Sequence, residues 1–97
     1  MNKLELLAKL RPEVVEDNGF YFKPLTVGEF NRLNASDLAD DEKTLAMLQY
    51  SLCDESGTRL LDDEDRPALN EMALSQLNKL IESMLRVSGV TRDAKKN

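Results

Sequence analysis

The stretch from Leu69 to Ser88 constrains the chain most. Wound at about 100° per residue, Leu69, Ala73, Leu77, Leu80, Ile81, Met84 and Val87 fall within about 120° of one face. Leu74 and Leu85 widen that stripe to about 160°. Glu71, Lys79, Glu82 and Arg86 lie opposite. The pattern predicts an amphipathic helix, closed by Gly89 at C′, with Val90 placed to meet Leu85 in a Schellman cap. One packing neighbour uses about 100° of stripe. The surplus is covered either by a second side of a small bundle or by a partner.

Upstream, Asp54-Glu55-Ser56-Gly57 carries the acid, hydroxyl and glycine of a tight turn. Leu60-Leu61 is expected to pin the returning chain to the core. Asp62, Asp63 or Asp65 then caps a short helix at about 63–69, with Pro67 inside its first turn and a break near Asn70. Before the turn, a helix is expected from about Asp41 to Cys53, with Leu45, Leu48 and Leu52 as its stripe. Met47 and Tyr50 lie off that stripe. A helix apolar nearly all round is buried on several sides, either as the central core helix or with one side against another subunit.

Nearer the N-terminus, Lys3 to Leu10 is a leucine-rich helix candidate stopped by Pro12 and too short to stand alone, so it must dock. Glu16-Asp17-Asn18-Gly19 reads as a turn. Phe20-Tyr21-Phe22-Lys23 reads as a strand that Val14-Val15 can pair as a hairpin, with Pro24 suggesting an edge position. Thr26-Val27-Gly28-Glu29 fits a capping box for a helix at about 27–34, with Phe30 and Leu33 turned inward.

The composition closes off most chemistry. The chain has 97 residues, with 41% hydrophobic and 32% charged, as in a globular domain. With no histidine and a single cysteine, Ser-His and Cys-His catalysis, His-containing zinc sites and an internal disulfide are excluded. Cys53, at the expected helix C-terminus, is read as a packing residue whose pKa the dipole raises. The Asp54–Asp65 stretch fails as a calcium loop, because its glycine falls at position 4 and Arg59 at position 6. The run Asp62-Asp63-Glu64-Asp65 is expected to be solvated rather than catalytic. No catalytic, cofactor-binding or metal-binding residue is therefore expected, and the chain is read as not an enzyme.

Charge is distributed unevenly. Residues 36–71 hold eleven acids against three bases, whereas residues 1–35 balance five against five. An acidic middle argues against nucleic acid as a partner. No apolar run approaches the roughly 18 residues of a membrane span, and no export signal is read at the start.

The run Tyr50-Ser-Leu-Cys53-Asp-Glu-Ser-Gly-Thr-Arg-Leu-Leu-Asp-Asp-Glu-Asp65, followed by a long helix ending Leu85-Arg-Val-Ser-Gly89, resembles the tail assembly chaperones of long-tailed bacteriophages and related prophages. Phe20-Tyr-Phe-Lys-Pro-Leu25-Thr-Val-Gly-Glu29 is similar to the aromatic strand and capped helix that precede that run in the family. Leu61 stands where an aromatic is common there, and Pro67 is unusual in that first turn. The resemblance implies a protein that oligomerises, binds the tape measure protein, helps tail tube subunits polymerise around it, and is absent from the finished virion. It also implies a place in the host bacterial cytoplasm.

The expectations are these. The fold is mainly α, a small domain of four to five helices with a short N-terminal β-strand or hairpin. Residues 1–90 form that domain and 91–97 a mobile tail. Partner binding falls to the apolar residues that a single neighbour leaves over: Met47, Tyr50, Met72, Leu74 and Leu85. The partners are the tape measure protein, the tail tube protein and further copies of the chain, with no nucleic acid, membrane or cofactor. The alternative function is a small acidic adaptor or regulatory protein that binds a partner helix.

Overall fold

The computed structural model describes residues 1–89. The expected Val90 contact and the tail 91–97 lie outside those residues.

The chain begins with α1 (Lys3–Lys9), capped by Asn2, whose side-chain oxygen accepts from the Glu5 amide at 2.8 Å. Then β1 (Val15–Asp17) and β2 (Phe20–Phe22) form a hairpin, registered Val15 to Phe22 and Asp17 to Phe20. Its two-residue turn is Asn18-Gly19, with φ of 56° and 85°. Positive φ at both positions is the mark of a type I′ turn, whose twist matches that of paired strands.

Next comes α2 (Val27–Ala35), opened by the capping box: the Glu29 amide donates to Thr26 Oγ1 at 3.1 Å, and the Thr26 amide to Glu29 Oε1 at 3.0 Å. Then α3 (Asp40–Ser51) carries three acids in its first turn, where they complement the dipole. It ends at Ser51, two residues earlier than the stripe predicts. Leu52–Cys53 is instead β3, antiparallel to β2. The sheet order is β1-β2-β3, so β2 is the middle strand and not the edge that Pro24 suggested. Pro24 lies beyond Phe22 and removes no ladder bond from it. The Lys23 amide, the last one before the proline, donates to Ser51 O at 2.7 Å, and Ser51 Oγ donates back to Lys23 O at 2.9 Å.

A reversal follows in which Gly57 takes φ +87°. Asp54 Oδ1 accepts from the Ser56 and Thr58 amides, and Cys53 bridges Arg59 across the turn. A side chain at Gly57 would meet Val14 Cγ2 at 3.1 Å, so the turn lies directly on the segment before β1. Asp62, of the three candidate caps, closes a second capping box with Asp65. It starts a 3₁₀ turn (Asp63–Asp65) that runs into α4 (Arg66–Leu69), with Pro67 in its first turn as expected. The break at Asn70 separates α4 from α5 (Leu74–Val87). The stripe read from 69 to 88 is thus split: Leu69 closes one helix, and α5 carries the rest. Gly89 has the positive φ expected of C′, at 78°.

The core is where β2, α3 and α5 meet. Phe22, Leu48, Leu80 and Met84 form its centre, with Leu52, Leu77, Ile81 and Val87 packed around them. The result is mainly α with a small antiparallel sheet, as the sequence leads one to expect. Two side chains read as anchors are not: Phe30 is 45% exposed and Leu60 is 62% exposed. Only Leu33 of α2 is buried, and only Leu61 of the leucine pair is partly covered.

Candidate partner-binding surface

No converging set of reactive groups appears among the described residues, which hold no group of three acids or thiols spaced for a metal ion. Cys53 is buried. Its thiol pKa is raised by that burial and by the Asp54 carboxylate, against a lowering by Lys23. The direction is the one expected, but the cause is not a helix dipole, because Cys53 sits in β3. Tyr21 is also pushed up, first by the Glu55 carboxylate and then by burial and Glu16. Neither group is activated as a nucleophile at neutral pH.

What the surface does offer is uncovered apolar area. The five residues expected to bind a partner are dispersed by the fold. Met47, Met72 and Leu85 pack against the core cluster. Tyr50 is half-buried beneath the Arg59 guanidinium, whose central carbon is 4.4 Å from the ring centroid. Arg59 in turn reaches Glu29 at 2.6 Å, so Tyr50 belongs to the joint between α2, α3 and the Gly57 turn. Leu74, at 71% exposed, is the one of the five left largely bare.

Met72 also lines a groove of about 610 Å³ between the hairpin and α5, together with Asn18, Phe20, Gln76, Lys79 and Leu80. The hairpin is held over α5 by two long-range ties. Asn18 Nδ2 donates to Ser83 Oγ at 3.0 Å, and Arg86 meets Asp17 Oδ2 at 2.8 Å.

The largest bare surface is one the expected site leaves out. Every residue of α1 is exposed; Leu4 is 78% exposed and the following Leu10 68%. Leu6 and Leu7 are about half exposed. On α2, Val27 and Phe30 lie bare at i and i+3, on one side of the helix. The signal for α1 was present in the sequence, as a leucine-rich segment too short to be helical without support. The sequence requires only that the segment dock on something, and no described element of the core buries it.

A polar cluster joins α3 to α4. Gln49 is fully buried, donates to Asp63 Oδ1 at 2.9 Å, and accepts from Arg66 Nε at 3.1 Å. Arg66 also pairs with Asp63 at 3.1 Å. The Asp63 carboxyl is lowered chiefly by the Gln49 hydrogen bond and then by Arg66; Asp54 is lowered by the Ser56 hydroxyl and the Thr58 amide. A carboxyl whose pKa is lower folded than unfolded adds stability above its unfolded value, near 4, and loses it as the pH falls through the folded value. Urea midpoints should therefore hold from pH 7 to about 5 and fall below about 4. Asp63→Asn should show a shallower acid fall than the wild type; an unchanged slope would mean that Asp63 is not linked to folding.

Among the described residues, no helix is long and apolar enough to cross a membrane. No family model matches the chain, and no curated protein or solved structure does either.

Proposed function

We propose that the chain is a non-enzymatic tail assembly chaperone of the long-tailed phage type, which binds the tape measure protein and promotes tail tube assembly around it. The observation that carries the reading is the bare apolar surface on helices, Leu4, Leu6 and Leu7 of α1 and Val27 and Phe30 of α2, in a chain that fills its core without them. A tape measure protein is a long helical chain with apolar stripes, and holding it in solution takes spare apolar helix surface on an acidic, soluble carrier. The resemblance of residues 50–65 and 85–89 supports the same reading. The work belongs to the host cytoplasm, before the virion is complete.

The test is co-expression with a tape measure protein. The wild-type chain should move that protein from the pellet to the supernatant and co-purify with it. Val27→Asp combined with Phe30→Asp should abolish this while leaving the melting temperature within a few degrees, since exposed positions usually change stability by less than about 0.5 kcal/mol. A tape measure protein as insoluble with the chain as without it would end this reading.

The groove lined by Phe20, Met72 and Leu80 favours a second reading, a small acidic adaptor that takes one amphipathic helix of a regulatory partner. Phe20→Asp separates the two: it disables a single-helix adaptor and spares a carrier that works through α1 and α2.

A further inference from the structure

We propose that α1 is a docking arm whose leucine face seats on the acidic cleft between α3 and α4 of a second copy of this chain. Seven residues make one short helix, well under the roughly 12–15 at which isolated helices become marginal in water, and nucleation carries a factor of order 10⁻³. The Asn2 cap and the Glu5–Lys9 spacing help by less than that. Leu4, Leu6, Leu7 and Leu10 are all exposed, so none of the described residues buries the leucine face of the helix.

Charge selects the occupant. From Lys3 to Arg11 the segment holds three bases, Lys3, Lys9 and Arg11, against one acid, Glu5. Residues 36–71 hold eleven acids against three bases, so the complementary surface is carried by every other copy. That surface has a seat. A cleft of about 340 Å³ between α3 and α4 has buried Leu45 and exposed Pro67 as its apolar part, flanked by exposed Asp41, Glu42 and Asp63; Arg66 also lines it, 3.1 Å from Asp63 and 3.9 Å from Glu42, so three acids face one base there and Asp41 has no ion pair among the described residues. Leucines entering between Leu45 and Pro67 bring Lys9 and Arg11 to the acids. Because each copy has one arm and one cleft, reciprocal exchange closes a two-fold dimer. The inference draws on the same α1 leucines as the chaperone reading; with α1 paired between copies, Val27 and Phe30 of α2 remain for the tape measure protein.

Sedimentation velocity on the full chain tests it, from about 5 to 200 μM in about 50 and 500 mM NaCl. A two-chain species is expected at low salt, weakened roughly tenfold or more at high salt. Leu4→Asp with Leu7→Asp should weaken association by about 100-fold or more without changing the thermal melt, because neither side chain is in the core. Lys9→Glu with Arg11→Glu should be a single chain, as should Asp41→Lys with Glu42→Lys, and a mixture of these two variants should pair one to one. A single-chain mass under all conditions overturns the proposal, as does a dimer that survives the leucine changes. A dimeric wild type whose two charge-reversed variants fail to pair overturns the cleft as the seat.

Discussion

Phe22→Ala should lose about 3–5 kcal/mol of folding free energy, the range for a fully buried phenylalanine cut to alanine. Phe22 lies on the middle strand and points into the cluster made with Leu48, Leu80 and Met84. It therefore contacts the helix on each side of the core, and a cavity there has no single wall that can collapse into it. A domain of this length has only roughly 5–15 kcal/mol in total. At about 4–8 °C per kcal/mol, the melting temperature should fall by at least about 12 °C. Phe20→Ala is the internal control: two residues away on the same strand but largely exposed, it should cost less than about 1 kcal/mol. Chemical denaturation of both variants reads the contrast, and equal losses would mean that the strand is not seated as described.

Gln49→Leu should cost about 1–3 kcal/mol even though leucine fits the space and is more apolar. The amide is the hub of a buried polar joint: its nitrogen serves Asp63 and its oxygen serves Arg66. Leucine leaves the Arg66 Nε, on a side chain only 16% exposed, without its partner, which is the costly direction of the hydrogen-bond asymmetry; the exposed Asp63 can turn to water instead. Arg66→Met on its own should also destabilise, but added to Gln49→Leu it should cost much less than on the wild type. A double-mutant cycle should give a coupling above about 1 kcal/mol. Additive losses would show that the two residues act separately, and that the start of α4 is held by its capping box alone.

These two residues also mark how far the sequence could be read. Local signals translate directly. Asn18-Gly19, Thr26 with Glu29, Gly57 and Gly89 each state a backbone geometry that their neighbours do not contest, and the turns and caps appear where they stand. The α5 stripe likewise buries Leu80 and Met84. What fails is anything decided by a partner far along the chain. Leu52 continues the i, i+3, i+7 pattern of α3, yet β2 offers it a ladder and it becomes a strand. Leu60 and Phe30 have the chemistry of core residues, but the positions facing the core are taken by Leu61 on the turn side and Leu33 on α2. Gln49 looks like a surface residue in a helical pattern; its burial follows from Asp63 and Arg66, which only the fold brings to it.

The expected partner residues fared as that reasoning implies. Helical projection ranks a side chain by angle alone. It cannot tell that α5 starts at Leu74, which leaves that leucine at the rim, or that Leu85 turns back onto the core. It weighs α1 too lightly, because a short helix has little periodicity to measure.

The ties from the hairpin to α5 have a consequence for the order in which the molecule can be made. Asn18 bonds Ser83 and Asp17 bonds Arg86, partners 65 and 69 positions apart in the chain. Phe22, once it emerges from a ribosome, has its type I′ turn at once but lacks Leu80 and Met84 until α5 has been synthesised. The hairpin is thus a template that waits with its aromatic side uncovered, and closure of the core is a late, long-range event rather than a gradual one. For that interval the nascent chain presents more apolar surface than the folded domain does, and α5 is what covers it.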